Sequence, residues 1–384
     1  MFLTKTIENN PSIIKAAFAL HQNNLIRPDS YVIDLDVLLD NALKILRCAA
    51  NSSIKLYFML KQLGRNPYIA KKLMELGYEG AVTVDYKEAK VMMDNKIAIG
   101  NVGHLVQVPR GELEEIMLYR PQVMTVFSLE KIKAIDEICA KHGLKQDILL
   151  RVWDDGDKIY PAQEGGFYLP SLKMQVEQIL KLKNVRIAGV TVFPAFLCDD
   201  ENRDIEPTKN ARTALKAVEI LKFLNIKVKQ INLPSQTCCA NIKKLSLLGA
   251  THGEPGHGLS GTTPLHAKSN QPERPCVVYV SEVSHNHKNT SYCYGGGYYR
   301  RSNVENALVG TGLEDSQKVR VLPPAVDVID YYFGLNGEQQ IGQTVVMAFR
   351  FQAFVTRSDI VLVENCSSEK MKIVGIYDAL GRVL

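Results

Sequence analysis

The amino-acid sequence predicts an α/β protein in which a (β/α)8 barrel is followed by a mostly antiparallel β domain. Short apolar runs, often rich in β-branched residues, alternate with helical patterns over residues 50–265. From residue 272 onward the pattern changes to alternating, aromatic runs. The length of 384 residues suits a barrel of roughly 250 residues and a smaller second domain.

The barrel prediction depends on candidate strands that are short and apolar, as parallel strands buried on both faces are. They are residues 54–60, 79–84, 102–108, 122–127, 147–153, 185–193, 228–233 and 248–253. Helical patterns lie between them. Asn66-Pro67 opens a helix that ends at Gly77, and Ser128 caps residues 129–142. Eight such units match a TIM barrel, and a doubly wound open sheet is the alternative.

The domain limits follow from the same patterns. Residues 1–35 predict a helix and a strand that pack with the β domain. Residues 36–268 predict the barrel, and residues 269–384 predict the C-terminal β domain. Turn signals such as Asn336-Gly337 separate the alternating runs of the tail.

Composition favours a cytoplasmic enzyme that acts on a small molecule. The net charge of +5 is spread along the chain, which disfavours a nucleic-acid partner. We expect no membrane partner, because no apolar stretch approaches spanning length and the N-terminus lacks the apolar run of a signal peptide. Eight cysteines in a chain this long do not suggest a disulfide framework, so a reducing compartment is expected.

Lys61 is the first candidate catalytic residue. It directly follows the first apolar run, and the eighth run leads into the glycine-rich segment 253–264. The first and eighth strands of a closed barrel are neighbours, so we expect both segments in one pocket at the carboxyl ends of the strands. A lysine in an apolar mouth can act as an imine-forming nucleophile, whereas a solvated surface lysine is the ordinary alternative.

The glycine-rich segment predicts an anion cradle, because backbone N–H groups and hydroxyls can approach a phosphate there. Its members are Gly256, Gly258, Ser260, Gly261 and Thr262, and we expect Ser235 and Thr237 to add contacts from the seventh loop. Glu254 carries a carboxylate that would keep a pyridine nitrogen protonated. A simple turn and a surface glutamate are the alternatives. An amine, a carboxylate and a phosphate cradle together are what an aldehyde cofactor with a phosphate tail requires.

These motifs resemble a known family. Lys61 is similar to the cofactor lysine that ends the first strand of alanine racemases, and Glu254-Pro255-Gly256-His257-Gly258-Leu259-Ser260-Gly261 lies over their phosphate loop. Tyr294, in Tyr294-Gly295-Gly296-Gly297-Tyr298-Tyr299-Arg300, matches their second catalytic base. The chain therefore resembles the alanine racemase-like, fold-type III enzymes over nearly its whole length, most closely the uncharacterised YhfX-like group, which is proposed to contain amino-acid racemases. This resemblance implies pyridoxal 5'-phosphate (PLP) as the cofactor.

The resemblance implies a two-base racemase or epimerase of a free α-amino acid, in which Lys61 and Tyr294 exchange protons on opposite faces. It also implies a head-to-tail homodimer, because the family takes this tyrosine from the partner subunit. Arg300 would depress the pKa of the phenol or hold the substrate carboxylate. Further cofactor contacts are implied for Arg151, Phe193 and His257, although a salt-bridging arginine and a core phenylalanine are the alternatives. Asp327 falls where the family has an aspartate at the shared dimer site.

Departures from the family leave other reactions open. Glu254 stands where alanine racemases have an arginine and is similar to the residue of the ornithine decarboxylase-like branch, so decarboxylation or elimination remains possible. That branch uses a Cys-Asp pair, whereas Cys293 is followed by Tyr294. His285, His287 and Cys293 could alternatively form a metal site. The ordinary interpretation, two solvent-facing histidines on a strand, is favoured over it. A non-catalytic PLP-binding protein is the third possibility, disfavoured by the C-terminal domain.

Overall fold

The computed structural model describes residues 1–201 and 203–384. It divides into two compact units. The barrel unit consists of Ile45–Leu60 and Pro67–Gly256, and the β unit consists of Met1–Lys44, Lys61–Asn66 and His257–Leu384. The predicted fold class, a parallel α/β barrel with a mostly antiparallel β domain, is confirmed.

Several helices begin and end where the sequence supplies a cap. The helices are α1 Phe2–Asn9, α2 Pro11–Gln22, α3 Leu35–Ala50, α4 Pro67–Leu76, α5 Tyr86–Asp94, α6 Leu113–Leu118, α7 Leu129–His142, α8 Leu172–Ile179, α9 Lys209–Phe223 and α10 Cys239–Leu247. At the start of α7, the Ser128 hydroxyl accepts the backbone N–H of Lys131 at 3.3 Å. At its end, Gly143 adopts a left-handed φ of 63°.

The strands are β1 Ser30–Asp34, β2 Lys55–Leu56, β3 Ala81–Thr83, β4 Ile99–Val102, β5 Val123–Val126, β6 Gln146–Trp153, β7 Phe167–Tyr168, β8 Val185–Thr191, β9 Phe196–Asp199, β10 Asp204–Pro207, β11 Gln230–Asn232, β12 His252–Gly253, β13 Val277–His287, β14 Thr290–Tyr294, β15 Asn306–Gly310, β16 Gln317–Leu322, β17 Tyr332–Asn336, β18 Thr344–Met347, β19 Asp359–Glu364 and β20 Lys372–Tyr377. Among the described residues, no helix is long and apolar enough to cross a membrane.

The barrel unit is a closed parallel sheet. Within residues 1–201 and 203–384, eight strands run in the order β2-β12-β11-β8-β6-β5-β4-β3. A parallel bridge between Phe58 and Ala81 closes the ring, with the Phe58 carbonyl accepting Val82 N–H at 2.8 Å. The predicted neighbourhood of the first and eighth strands is confirmed, because β2 pairs with β12 and Met59 N–H donates to the Pro255 carbonyl at 3.0 Å.

One strand prediction was wrong. The segment 102–108 was expected to be a strand, whereas β4 covers Ile99–Val102. Gly100 and Asn101 lower the apolar content of the true strand. Gly100 is required there because a Cβ atom would overlap the Tyr57 ring.

The β unit is a mainly antiparallel sheet in the order β14-β17-β16-β15-β18-β13-β1-β19-β20. The strand β13 also pairs with β14, so the first part of this sheet curls into a closed ring. The strand β1 is antiparallel to β13 and parallel to β19. A core of apolar side chains from α2 covers the sheet, including Ile14 and Phe18 beside Val280 and Val346.

Candidate active site

Glu254 is a buried carboxylate in the barrel unit. It follows β12 directly and is 7% exposed. Its Oε1 accepts the Asn232 amide N–H at 2.5 Å and the Asn101 amide N–H at 3.4 Å. The Thr125 hydroxyl donates to Asn101 Oδ1 at 2.8 Å, which fixes the direction of that amide. Side chains from β11 and β4 therefore hold one oxygen of Glu254 in a defined place.

Thr237, a predicted phosphate contact, accepts the Glu254 backbone N–H at 3.2 Å. Its hydroxyl therefore anchors the segment that carries the carboxylate. The Ser235 hydroxyl makes two hydrogen bonds with the main chain of Phe196. It accepts the Phe196 N–H at 3.0 Å and donates to the Phe196 carbonyl at 2.5 Å. Ser235 has a φ of 112°, so this loop has an unusual backbone conformation for a residue with a side chain.

His104 lies beside the other oxygen of the carboxylate. Its Nε2 is 3.7 Å from Glu254 Oε2, and the side chain is 1% exposed. The ring meets Phe193 edge to face, with centroids 5.7 Å apart. Sequence reasoning missed His104, Asn101 and Asn232. The available signal was a polar residue in or just after a buried strand, at the carboxyl end where barrel sites lie.

Arg151 and Phe193 also line this end of the barrel unit. The Arg151 guanidinium donates to the carbonyls of His104, at 3.3 Å, and Gln163, at 2.7 Å. It also stacks over the Phe127 ring, 4.8 Å from the centroid. Burial lowers the pKa of Arg151 to about 10. This arginine thus braces two loops with its charge held inside the unit.

Lys61 belongs to the β unit, where it begins a short 3-10 turn, Lys61–Leu63, and is half-buried. His257 of the same unit is 8% exposed. Burial holds the pKa of His257 well below its ordinary value, and the charges of Arg350, Lys61 and His266 add to that effect. A neutral histidine surrounded by cations marks a region of positive potential, which favours an anion.

The loop after His257 is held by its own hydroxyls. His257 Nδ1 is 3.0 Å from Thr262 Oγ1, and that oxygen is 2.7 Å from Ser260 Oγ. Gly261 has a left-handed φ of 63°, and a Cβ atom there would overlap the Arg274 carbonyl. Gly256 and Gly258, which belong to the barrel unit and the β unit respectively, are both buried. The loop is thus built compactly around buried polar groups.

His257 Nε2 faces two donors that the sequence analysis did not single out. Arg350 Nε lies 3.3 Å away and Gln352 Nε2 lies 3.2 Å away. Because both groups are donors, Nε2 accepts and the proton resides on Nδ1. Arg350 is a cation in contact with His257, on which the charge of Lys61 also acts, so it joins the predicted anion-binding residues as a new candidate.

Tyr294 ends β14 and is 37% exposed. Its carbonyl accepts the Ser281 hydroxyl at 2.7 Å and the Tyr279 hydroxyl at 3.2 Å. Arg300 is exposed and donates to the Val326 carbonyl at 2.6 Å. Asp327, which the resemblance implies at a shared dimer site, is exposed. The main chain of Tyr294 is therefore fixed while its phenol reaches solvent.

The metal-site alternative finds no support in geometry. His285 stacks on Tyr292 with centroids 4.9 Å apart, and its Nδ1 is 3.1 Å from Ser284 Oγ. Burial raises the pKa of Cys293 to about 12, so its thiol is neutral inside the β unit. Within the part of the chain that the structure describes, no group of three His, Cys, Asp or Glu side chains could hold a metal ion.

Comparison with known proteins identifies the family. Residues 33–264 match the alanine racemase N-terminal domain, and residues 278–373 match the YhfX-like C-terminal domain. The chain belongs to the alanine racemase-like family. It is 42% identical to the uncharacterized protein YhfX of Escherichia coli (strain K12) over 387 residues, and the match covers 100% of both chains.

Solved structures of this fold carry several activities. D-threonine aldolase from Filomicrobium marinum has a TM-score of 0.70 at 17% identity, covering 93% of this chain and 96% of that one. Alanine racemase from Clostridium difficile 630 in complex with cycloserine has a TM-score of 0.65 at 17% identity, covering 92% and 99%. D-threo-3-hydroxyaspartate dehydratase from Delftia sp. HT23 has a TM-score of 0.66 at 14% identity, covering 91% and 97%. The fold of this chain is thus shared by a racemase, an aldolase and a dehydratase.

Proposed function

We propose that this protein is a PLP-dependent racemase or epimerase of a free α-amino acid. The observation that supports the PLP dependence in this proposal is the buried Glu254 carboxylate, fixed by the amides of Asn232 and Asn101. Glu254 lies in the segment that pairs with the strand immediately before Lys61, because Met59 N–H donates to the Pro255 carbonyl. A buried acidic acceptor and an amine are the groups that the two ends of a pyridoxal ring require.

The residues present fit PLP by the chemistry of their side chains. Glu254 offers a buried acceptor to the protonated ring nitrogen, and Lys61 offers the amine that holds the aldehyde carbon. Lys61 and Arg350 add positive charge around the buried His257 loop, which supports binding of the phosphate. When bound, PLP supplies an electron sink for the substrate's α carbon.

Lys61 and Tyr294 would carry the proton transfers. The Lys61 amine takes the α proton on one face of the substrate, and the Tyr294 hydroxyl gives a proton on the other. His104 lies 3.7 Å from Glu254 Oε2 and limits the movement of that carboxylate. Arg151 keeps the surrounding loops in place through its bonds to the carbonyls of His104 and Gln163.

A head-to-tail homodimer is part of this proposal. Tyr294 lies in the β unit beside Tyr332, with ring centroids 5.9 Å apart. The stretch that precedes Tyr332 exposes apolar side chains, namely Val326 at 72%, Val328 at 55%, Ile329 at 65% and Tyr331 at 61%. Such a cluster of exposed apolar groups suits burial against a second copy, which would bring Tyr294 to the Lys61 of that copy.

We also place the protein in the cytoplasm. None of the eight cysteines forms a disulfide in the described structure, and Cys139, Cys238, Cys276 and Cys293 are buried. Buried cysteines outside disulfides are typical of proteins that fold in a reducing compartment.

The test is an isotope-exchange experiment. The protein, loaded with PLP, is incubated in heavy water with single enantiomers of a panel of amino acids, and deuterium at the α position and the chirality of the product are measured. We expect exchange together with inversion for at least one amino acid. Borohydride reduction followed by peptide mass analysis should place the cofactor label on Lys61, and Lys61→Ala should abolish it. A label on another lysine would overturn the proposal.

A lyase is the second candidate, and Glu254 is the observation that favours it. A carboxylate at this position makes a stronger electron sink than the arginine of alanine racemases, so decarboxylation, elimination or aldol cleavage is open to the same site. Release of carbon dioxide, ammonia or an aldehyde in the same incubations distinguishes these reactions. A complete lack of turnover, with PLP still bound at Lys61, would indicate a non-catalytic PLP-binding protein.

A further inference from the structure

We propose that Asp330, supported by Asp29, is the positioning residue for Tyr294, and that it acts by clamping the loop Gly295–Gly297. This inference rests on the proposed role of Tyr294 as a base. All of the groups concerned belong to the β unit. Neither carboxylate would touch the substrate, so neither is a catalytic residue.

Asp330 holds the glycine loop by its backbone. Its Oδ2 accepts the N–H of Gly296 at 3.1 Å and the N–H of Tyr298 at 3.0 Å. The Gly295 N–H donates to the carbonyl of Tyr331, the next residue in the chain, at 2.7 Å. The segment around Asp330 therefore binds three N–H groups within the four residues that follow Tyr294. Hydrogen bonds to a charged acceptor are stronger than those between neutral groups.

The three glycines are explained by the closeness of the clamp. A Cβ atom at Gly295 would lie 2.5 Å from Asp330 Oδ1. One at Gly296 would overlap the carboxylate of Asp29, and Gly296 also has a left-handed φ of 128°. One at Gly297 would overlap the Tyr279 ring. Carboxylates and a buried ring thus surround the loop, and only glycine fits at these positions.

Asp29 supports the clamp from the opposite side. Its Oδ1 accepts the Ser358 hydroxyl at 2.5 Å and the Tyr279 hydroxyl at 3.0 Å. Tyr279 Oη is also 3.2 Å from the Tyr294 carbonyl, so its single proton is shared between that carbonyl and Asp29 Oδ1, and one phenol joins Asp29 to the main chain of Tyr294. The Tyr31 hydroxyl donates to the Gly297 carbonyl at 2.5 Å and closes the far end of the loop.

The clamp determines where the Tyr294 phenol points. The Tyr294 carbonyl is fixed by two hydroxyls, and the loop that follows is fixed by Asp330. Loss of the clamp would let the backbone after β14 shift. A shift of about 1 Å in a reacting group reduces a rate by on the order of 100-fold. Lys61 lies outside the clamp, so the proton transfer assigned to Lys61 should keep its rate.

The experiment measures each enantiomer separately. The variant Asp330→Ala is loaded with PLP, and the first α-proton exchange in heavy water is followed for the D and the L substrate. In a two-base mechanism each base acts on one enantiomer. We expect exchange from one enantiomer to fall by on the order of 10- to 100-fold and exchange from the other to change less than about 2-fold. Asp330→Asn retains an acceptor oxygen and should restore most of the rate. Asp315→Asn, which changes an exposed carboxylate of the same unit that is bonded to Thr311, is the control.

Equal slowing of both enantiomers, or no slowing of either, would overturn the inference. If Asp330→Ala does not fold, Tyr279→Phe removes the hydroxyl that donates to the Tyr294 carbonyl and should produce the same one-sided loss. Borohydride labelling of Lys61 in every variant separates the two proposals. A wild-type protein without α exchange contradicts the proposed function, whereas normal wild-type exchange with symmetric variants contradicts the clamp alone.

Discussion

The carboxylate of Asp29 should make folding stability depend on pH. The pKa of Asp29 is raised from its ordinary value of 3.8 to about 6, chiefly by burial. Hydrogen bonds from Ser358 and Tyr279 and the charge of Arg357 oppose that rise, and the charge of Asp330 adds to it. The variant Asp29→Asn keeps the shape and an acceptor oxygen. It also tolerates the left-handed φ of 65° at this position, which asparagine adopts readily.

The sign and size of the effect follow from proton linkage. The folded protein binds the Asp29 proton more tightly than the unfolded chain does, so stability falls as pH rises from about 3.8 to about 6. Each unit of pKa difference corresponds to about 1.4 kcal/mol, and the full difference corresponds to about 3 kcal/mol. Asp29 is partly solvent-exposed, which reduces this to roughly 1–3 kcal/mol. The penalty is absent below pH 3.8 and complete above about pH 6.

The predicted pH dependence is tested by urea unfolding, monitored by circular dichroism between about pH 3.5 and about pH 7. We expect Asp29→Asn to gain stability relative to the wild type as pH rises through the window. Asp315→Asn is the control, because hydrogen bonds from Thr311 lower the pKa of that exposed carboxyl and any dependence has the opposite sign. Wild-type and Asp29→Asn curves that stay parallel over the whole range would refute the reasoning.

Three further changes test the site and the barrel. Glu254→Gln removes the charge at the ring nitrogen and should slow α exchange by about 10- to 100-fold, since a hydrogen bond to a charged group contributes about 1.5–3 kcal/mol; an unchanged rate would exclude this role. Gly189→Ala should destabilise the protein by about 1–3 kcal/mol in urea unfolding, because a Cβ atom would overlap the Gln230 carbonyl. Its control is Gly111→Ala, where the added atom meets open space, and equal losses would contradict the packing argument. Ser128→Ala removes the cap of α7 and should lower the free energy of unfolding in urea by about 1 kcal/mol. An unchanged free energy would mean that the cap does not contribute to stability.

The fold was predictable because local signals agree with the tertiary arrangement. Pro67 begins α4 and Gly77, with a φ of 105°, follows its end, as the sequence suggested. Parallel strands buried on both faces must be short apolar runs, so their number and order could be recognised. The position of β4 was predicted wrongly because Gly100 is required there by the ring of Tyr57, a residue that directly follows β2. No local pattern carries that information.

The candidate site was predictable only where its residues form a local motif. Glu254 and the loop that follows it are contiguous and could be found. Asn101, His104 and Asn232 come from separate parts of the chain and meet at Glu254 only in the folded barrel. Arg350 likewise lies more than ninety residues after His257, and the Nε atom of Arg350 contacts Nε2 of His257. Their shared property is a position in space, which single-sequence reasoning does not reach.

On the proposed function, the reaction class depends less on Glu254 than on the geometry around Tyr294. Asn232 and Asn101 hold Glu254 Oε1 as an acceptor, and a carboxylate in that place would strengthen the electron sink for any α bond that breaks. Racemisation would additionally need a proton donor on the face opposite the first base. The carbonyl bonds from Ser281 and Tyr279 and the carboxylate of Asp330 fix the segment that carries Tyr294, the proposed donor. A lyase would have less need for a rigid segment at an exposed phenol, so the two half-buried carboxylates and three glycines beside Tyr294 support the proposed proton return over bond cleavage.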